Sequence, residues 1–371
     1  MIVYQKRYRL PYRWDCERWT IEKAERLLPG ECVHITARRA ELSEGGLHDY
    51  YSNGDYWWPD PAKPNGLPYI HRDGQSNPAN FMEHRIALRR MRTAVAHLAA
   101  AYRATKDERF AGKACRILKK FFVDEATYMA PHLTYAQALP GICSGRGIGI
   151  IDTLHLVDVP FAIEALKPSG YMTEELYGKL KLWFAQYLEW MMTYPNGHAE
   201  MNTTNNHAVC FFVQAAAFAR FTENEDVLEF CRLRYQTALL GQMAQDGSFP
   251  RELGRTKPYS YSMFVMDNMV TLCHLLSSAK ENLWEYTTGQ GQNIVKGLDF
   301  IMPFVMHKEK WPYGEDVEHF ESWPARQSFM FFAGLTLGRE EYLEFYFSLP
   351  VESTDFEVRR NIAIRQPVLL L

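Results

Sequence analysis

Asn202-Thr203-Thr204-Asn205-Asn206-His207 sets six polar side chains directly before an apolar segment, residues 208–218, that carries no charged residue. Thr204 or Asn205 can cap a helix starting there, because a short side-chain oxygen accepts a free first-turn N–H. Asn206 and His207 then fall in the first turn, at the rim of a core. The partial positive charge and free amides of a helix N-terminus suit a carboxylate ligand. The plainer reading of the same residues is a capping Asn205 and a satisfied core His207. A second stretch, residues 246–262, gathers Arg251, Glu252, Arg255, Lys257, Tyr259 and Tyr261 in a loop that leads into a helix. A solvated loop would carry such charges too.

Taken together, the two stretches supply what one reaction needs, β-elimination from a uronic acid polymer. The C5 proton beside a sugar carboxylate is weakly acidic, and its removal loads charge onto that carboxylate. Asn, His⁺ or Arg donors must therefore be aimed there, each typically worth ~3 kcal/mol in such a role. A tyrosine can take the C5 proton if nearby cations lower its reference pKa of about 10. The same phenol can return the proton to the leaving O4 when both lie on one face of the sugar.

The elements that must position these groups are helical. Apolar residues recur at helical spacing over residues 84–105 and 109–122, with further helical segments expected at 150–167, 173–193, 206–221, 225–243, 259–280, 285–302 and 325–347. Residues 1–45 read as helical pieces broken at Leu28-Pro29-Gly30, and residues 357–371 alternate like a strand. Roughly a dozen helices and no convincing sheet fit an all-α fold, a toroid of α/α hairpins forming a single domain over residues 1–371. Such a ring gathers its long loops around one mouth. Residues 48–80 are too rich in Pro, Gly, Asn and aromatic residues for a regular element, and are read as the wall or lid of a cleft, against a packed structural cover.

The chain has 371 residues, 47% hydrophobic and 23% charged, with a net charge of -3. No basic footprint points to nucleic acid, and no run reaches membrane-spanning length. Seven scattered cysteines, none spaced C-x-x-C, argue against a disulfide framework or a zinc site. No cofactor or metal is expected. Glycines 145, 147 and 149 are preceded by no strand and followed by no Lys-Ser/Thr, so they do not form a phosphate loop. Residues 1–19 lack the apolar core of a signal peptide. The expected location is cytoplasmic as written, or periplasmic or secreted if a leader has been trimmed.

Asn205-Asn206-His207 at a helix start, with Arg255 six residues before Tyr261, resembles the alginate lyase superfamily, as in polysaccharide lyase families five and thirty-eight. Asp55-Tyr56-Trp57-Trp58-Pro59-Asp60-Pro61, with residues 69–77, is similar to the entry loop of the thirty-eight-like branch. Tyr135-Ala136-Gln137-Ala138-Leu139-Pro140-Gly141 and Gly145-Arg146-Gly147 match a further shared segment. The four pieces fall in the expected order between residues 50 and 264.

The resemblance implies a toroid and a metal-independent lyase. It implies Asn206 and Arg255 as carboxylate neutralisers, His207 as neutraliser or as base on the epimeric sugar, and Tyr261 as base and acid. Trp57, Trp58, Tyr69, Gln137, Arg146, Asn205, Glu252, Lys257 and Tyr259 are the expected substrate contacts. The partner is an anionic oligo- or polysaccharide such as mannuronate-type alginate or glucuronan. Family five usually spaces its Arg and Tyr by seven residues, so Tyr259 competes with Tyr261. Two alternatives stay open: a glycoside hydrolase drawing on Asp152, Asp246, Glu252, Glu315 and Asp316, and a non-catalytic glycan-binding toroid.

Overall fold

The structure is a computed structural model that describes residues 13–371, with side chains from residue 18 onward. The first 12 residues and the Cys16 side chain lie outside the described residues. Five inner helices, Glu83–Thr105, Asp158–Leu166, Asn206–Thr222, Pro258–Leu276 and Ser328–Leu337, pack one against the next. Outer helices alternate with them in the chain. Arg13–Leu27 and Glu108–Phe122 lie on the first inner helix, Glu174–Thr193 and Glu225–Arg234 on the third, Ile294–Met306 on the fourth and Glu340–Ser348 on the fifth. The C-terminal turn Pro367–Leu370 touches the first, second and fifth inner helices and so bridges the ring. This is an all-α fold, an α/α toroid.

Composition explains which helices go inside. A helix apolar on all sides is stable only when surrounded. In Pro258–Leu276 every residue is buried except Ser260 and Tyr261. In Asn206–Thr222 the residues that escape burial are His207 in the first turn and Arg220 and Thr222 in the last. Two core helices thus leave, at their N-terminal ends, the imidazole and phenol that the sequence singles out.

Several boundaries differ from the sequence expectation for local reasons. The 150–167 segment begins as a 3-10 helix, Gly147–Val157, before turning α-helical at Asp158. Residues 285–293 are not helical; Asn293 caps the next helix by accepting the Lys296 N–H at 2.9 Å. Residues 325–347 divide into two helices at Gly338, whose φ of 67° is a left-handed stop. The strand-like tail folds instead as the short helix Phe356–Arg360, capped by Asp355, and the Pro367–Leu370 turn.

Small strands do occur, and they fix the long loop. Tyr51–Asn53 runs parallel to Tyr135–Ala138, and Trp57–Trp58 pairs antiparallel with Ile70–His71. Beneath them, buried Arg85 meets Asp152 at 3.0 Å and Asp55 at 3.7 Å. Arg360 holds the other Asp55 oxygen at 2.6 Å. Burial works against the Asp55 charge, but Arg360 and Arg85 outweigh it and bring the carboxyl down to about 2. Removing one partner of a buried pair like this typically costs about 3–5 kcal/mol, because a charge is left alone. No helix among the described residues is long and apolar enough to cross a membrane.

Candidate active site

Asn205 is the cap of the Asn206–Thr222 helix, accepting the His207 N–H at 3.3 Å. Asn206 is buried and gripped twice by Glu252: its backbone N–H reaches Oε1 at 2.8 Å and its Nδ2 reaches Oε2 at 2.7 Å. The Nδ2 group has a second hydrogen to direct elsewhere. His207 is partly exposed at the rim of the core. Its Nδ1 lies 2.7 Å from Oε1 of Glu200, which comes from the preceding short helix Pro195–Met201. Burial lowers the His207 pKa, the charge and hydrogen bond of Glu200 together with the charge of Glu252 raise it, and the net position is above the ordinary histidine value.

The second stretch delivers Arg255 and Tyr261 to one point. Nη2 of Arg255 donates to the Tyr261 hydroxyl at 3.0 Å, and the guanidinium carbon sits 4.2 Å from the centre of that ring. Tyr56, from the long loop, places its hydroxyl 3.1 Å from the Tyr261 oxygen. With Tyr56 as donor, the Tyr261 oxygen accepts two hydrogen bonds and keeps its own proton free. Burial pushes the Tyr261 phenol up; Arg255 and Tyr56 pull it back, and it remains above the usual tyrosine value. The cations therefore moderate the phenol rather than drop it below its reference.

Glu252 joins the halves. Its side chain holds Asn206, and its backbone carbonyl accepts the Arg255 N–H at 3.2 Å. Arg255 is close enough to His207 to act on its charge. The long loop closes over this arrangement: Asp73 binds Arg255 through Oδ1 at 2.6 Å and Oδ2 at 3.3 Å, and accepts from Thr256 at 3.1 Å. Gly74 has a φ of 75°, and a side chain there would collide with Thr256.

The expected substrate contacts divide. Arg146 lies 5.7 Å from the Trp57 ring and has no carboxylate at ion-pair distance among the described residues. It donates to Gln137 through Nε at 3.1 Å and Nη2 at 3.2 Å. Gln137 itself is buried at a φ of 51° and donates to Asp152, so it acts as a brace for Arg146. The glycines flanking Arg146 serve close packing: a side chain at Gly147 would lie 2.7 Å from the Asn196 carbonyl. Tyr69 ties the loop to the Pro140 carbonyl through its N–H. Trp58 is engaged within its own loop, donating to the Gln75 carbonyl at 3.0 Å under the Arg72 guanidinium.

Three expected contacts are buried. Tyr259 is wholly buried, its hydroxyl donates to the Phe304 carbonyl at 3.1 Å, and its ring packs on Trp311 and Phe320. Lys257 is buried and paired with Glu318 at 3.0 Å. Glu252 is buried against Asn206. Four of the five carboxylates of the hydrolase alternative, Glu252 among them, have structural partners. Asp152 receives Ser52 and Arg85, Asp246 shapes its turn through the Ser248 N–H, and Asp316 receives the Tyr259 and Ser260 N–H groups. Glu315 is exposed. Sequence reasoning missed Tyr56, Asp73 and Glu200. The first two lay in quoted loop motifs, but no spacing signalled Glu200.

A family model described as alginate lyase matches residues 34–311. An alginate lyase from Bacteroides ovatus is similar in structure at 30% identity and a TM-score of 0.85, over 98% of this chain and 94% of that one. Alginate lyase A1-III from Sphingomonas species A1 shares the fold at 16% identity and a TM-score of 0.52, over 91% and 87% of the two chains. An alanine variant of alginate lyase A1-III complexed with tetrasaccharide is similar at 14% identity and a TM-score of 0.53, over 85% and 84%. No curated protein sequence gives a significant match.

Proposed function

The chain belongs to the alginate lyase family and is a polysaccharide lyase, and from that premise we propose that it cleaves a mannuronate-type alginate, or a related glucuronate-bearing glycan, by β-elimination at Tyr261. Asn206, His207 and Arg255 receive the uronate carboxylate and stabilise the charge that grows there as C5 loses its proton. The ionised Tyr261 phenol takes that proton. The C5 electron pair moves into the ring as the C4–O4 bond breaks, and the same phenol returns the proton to the departing O4. The product carries a C4–C5 double bond conjugated to its carboxylate.

The observation that carries this reading is the environment of one oxygen. The Tyr261 hydroxyl accepts from Arg255 at 3.0 Å and lies 3.1 Å from the Tyr56 hydroxyl, two contacts that offset part of what burial costs the phenolate. Trp57 and Arg146 supply a ring and an unpaired cation for a neighbouring acidic sugar.

The test is a panel of polymannuronate, polyguluronate and glucuronan, followed by the ultraviolet absorbance of the unsaturated product. Absorbance that rises fastest with polymannuronate is expected. New reducing ends without absorbance would overturn elimination, and a preference for polyguluronate would overturn the proposed sugar.

A further inference from the structure

A cavity of about 480 Å³ lies apart from the groups just described, between the helices Arg13–Leu27, Glu83–Thr105 and Glu108–Phe122 and the C-terminal residues 352–365. None of Asn206, His207, Arg255 and Tyr261 lines it. Nine of its lining residues are cationic and two are acidic. Three of the cations are matched: Lys23 by Glu352 at 2.9 Å, Arg92 by Asp158 at 3.3 Å and Arg360 by Asp55 at 2.6 Å. The other six, Arg26, Arg89, Arg90, Lys113, Arg359 and Arg365, have no carboxylate at ion-pair distance among the described residues. The one remaining carboxylate on the wall is Glu31.

The orphaned donors are as telling as the charge. Nε and Nη1 of Arg89 are closed to solvent and have no hydrogen-bond partner, and Nε of Arg92 and of Arg365 are in the same condition. Buried N–H groups are nearly always satisfied, and leaving one unmade costs more for a charged group. Three guanidiniums so placed around one positively charged cavity leave a charge that an oxyanion seated in the cavity would balance, while these four N–H groups themselves are shut off from it. The rim carries apolar surface beside its arginines: Phe356 is 49% exposed and its ring lies 5.7 Å from the Arg89 guanidinium, while Ile86 is 39% exposed. The volume suits a body the size of one or two sugar rings.

We propose that this cavity is a second, non-catalytic binding site for a small anionic sugar, one whose carboxylate or phosphate balances the charge of Arg89, Arg92 and Arg365 while its ring rests against Phe356. Such a ligand has two sources: uronate fragments and phosphate-bearing sugars. It also faces Arg360, whose guanidinium is the partner of Asp55, the residue before Tyr56. The proposal does not depend on the lyase reading.

Titration calorimetry of the full chain with glucuronate, glucose 6-phosphate and inorganic phosphate tests it. Saturable binding of at least one probe is expected, weakened about ten-fold or more in Arg89→Gln, the effect of losing one or two charged hydrogen bonds. Arg26→Gln with Arg90→Gln, two exposed rim positions, is the companion variant should Arg89→Gln fold poorly, and it must weaken the same probe. Preference for glucuronate assigns the uronate source, and preference for either phosphate probe assigns the other. No saturable heat with any probe, or affinities unchanged in a folded variant, would overturn the site.

Discussion

Nη2 of Arg255 lies 3.0 Å from the Tyr261 hydroxyl, and the same nitrogen lies 2.6 Å from Oδ1 of Asp73. One guanidinium therefore joins the long loop to the helix that carries the phenol. Asp73→Asn keeps the shape but removes the charge that orients Arg255. Both side chains are partly exposed, so the expected stability loss is within about 1 kcal/mol. Turnover is expected to fall about ten-fold, against ~100-fold or more for Arg255→Ala, which removes the donor itself. Steady-state rates by product absorbance, beside thermal melts, check both. Equal rates for Asp73→Asn and the unmodified chain would show that Arg255 needs no anchor.

Tyr259 and Tyr261 are separated by a paired substitution. Tyr261→Phe deletes the hydroxyl that meets Arg255 and Tyr56, and should abolish turnover while an oligouronate still binds. Tyr259→Phe leaves the partly buried Phe304 carbonyl without its donor, which costs ~1 kcal/mol, yet the rate should be nearly unchanged. Loss of activity in Tyr259→Phe at temperatures where it remains folded would reverse the assignment.

These two tyrosines also show where the sequence stops being informative. Residues two apart on an α-helix point about 200° apart, so one of the pair must face inward. Nothing local says which, because the choice depends on Trp311 and Phe320 packing on one side and Tyr56 and Asp73 arriving on the other. The inner helix that follows Asn205 was legible because residues 208–218 carry no charged side chain to offer solvent; the polar residues Asp267, Thr271 and His274 on one face of Pro258–Leu276 gave no such sign. The Asn205 cap was legible because capping is decided within four residues. Glu200 was not legible: its pairing with His207 exists because the short helix Pro195–Met201 folds back on the next helix. The cationic cavity was equally hidden, since its wall is assembled from segments near both ends of the chain.

Glu252 is the hinge between the two stretches, and its carboxylate holds both N–H groups of Asn206. Glu252→Gln replaces one accepting oxygen by an NH₂ that cannot accept from Asn206. The Asn206 amide should lose its fixed direction, lowering kcat by ~10- to 100-fold with a smaller change in KM, because a misaimed donor acts mainly on the transition state. Glu252→Asp, which keeps the charge, should recover part of the rate. A KM change with kcat untouched would make Glu252 a substrate contact after all.

The pH profile reports on His207 and Tyr261 together. Burial alone would put the imidazole below its ordinary value; Glu200 reverses that, so the positive form persists above pH 6.5. The raised value also means that the pair contributes stability below the unfolded histidine pKa, and that this is lost as pH rises through the folded one. Tyr261 is raised as well, so its phenolate is scarce at neutral pH and grows ten-fold per pH unit. If the uronate needs a positive His207 and an ionised Tyr261, kcat/KM climbs with pH until His207 loses its proton, then levels because the two trends cancel. Glu200→Gln removes the cause of the raised imidazole. The levelling should then move to lower pH, and the ring C–H resonance of His207 should titrate below 6.5. A profile and a titration both unmoved by Glu200→Gln would show that Glu200 does not set the charge on His207.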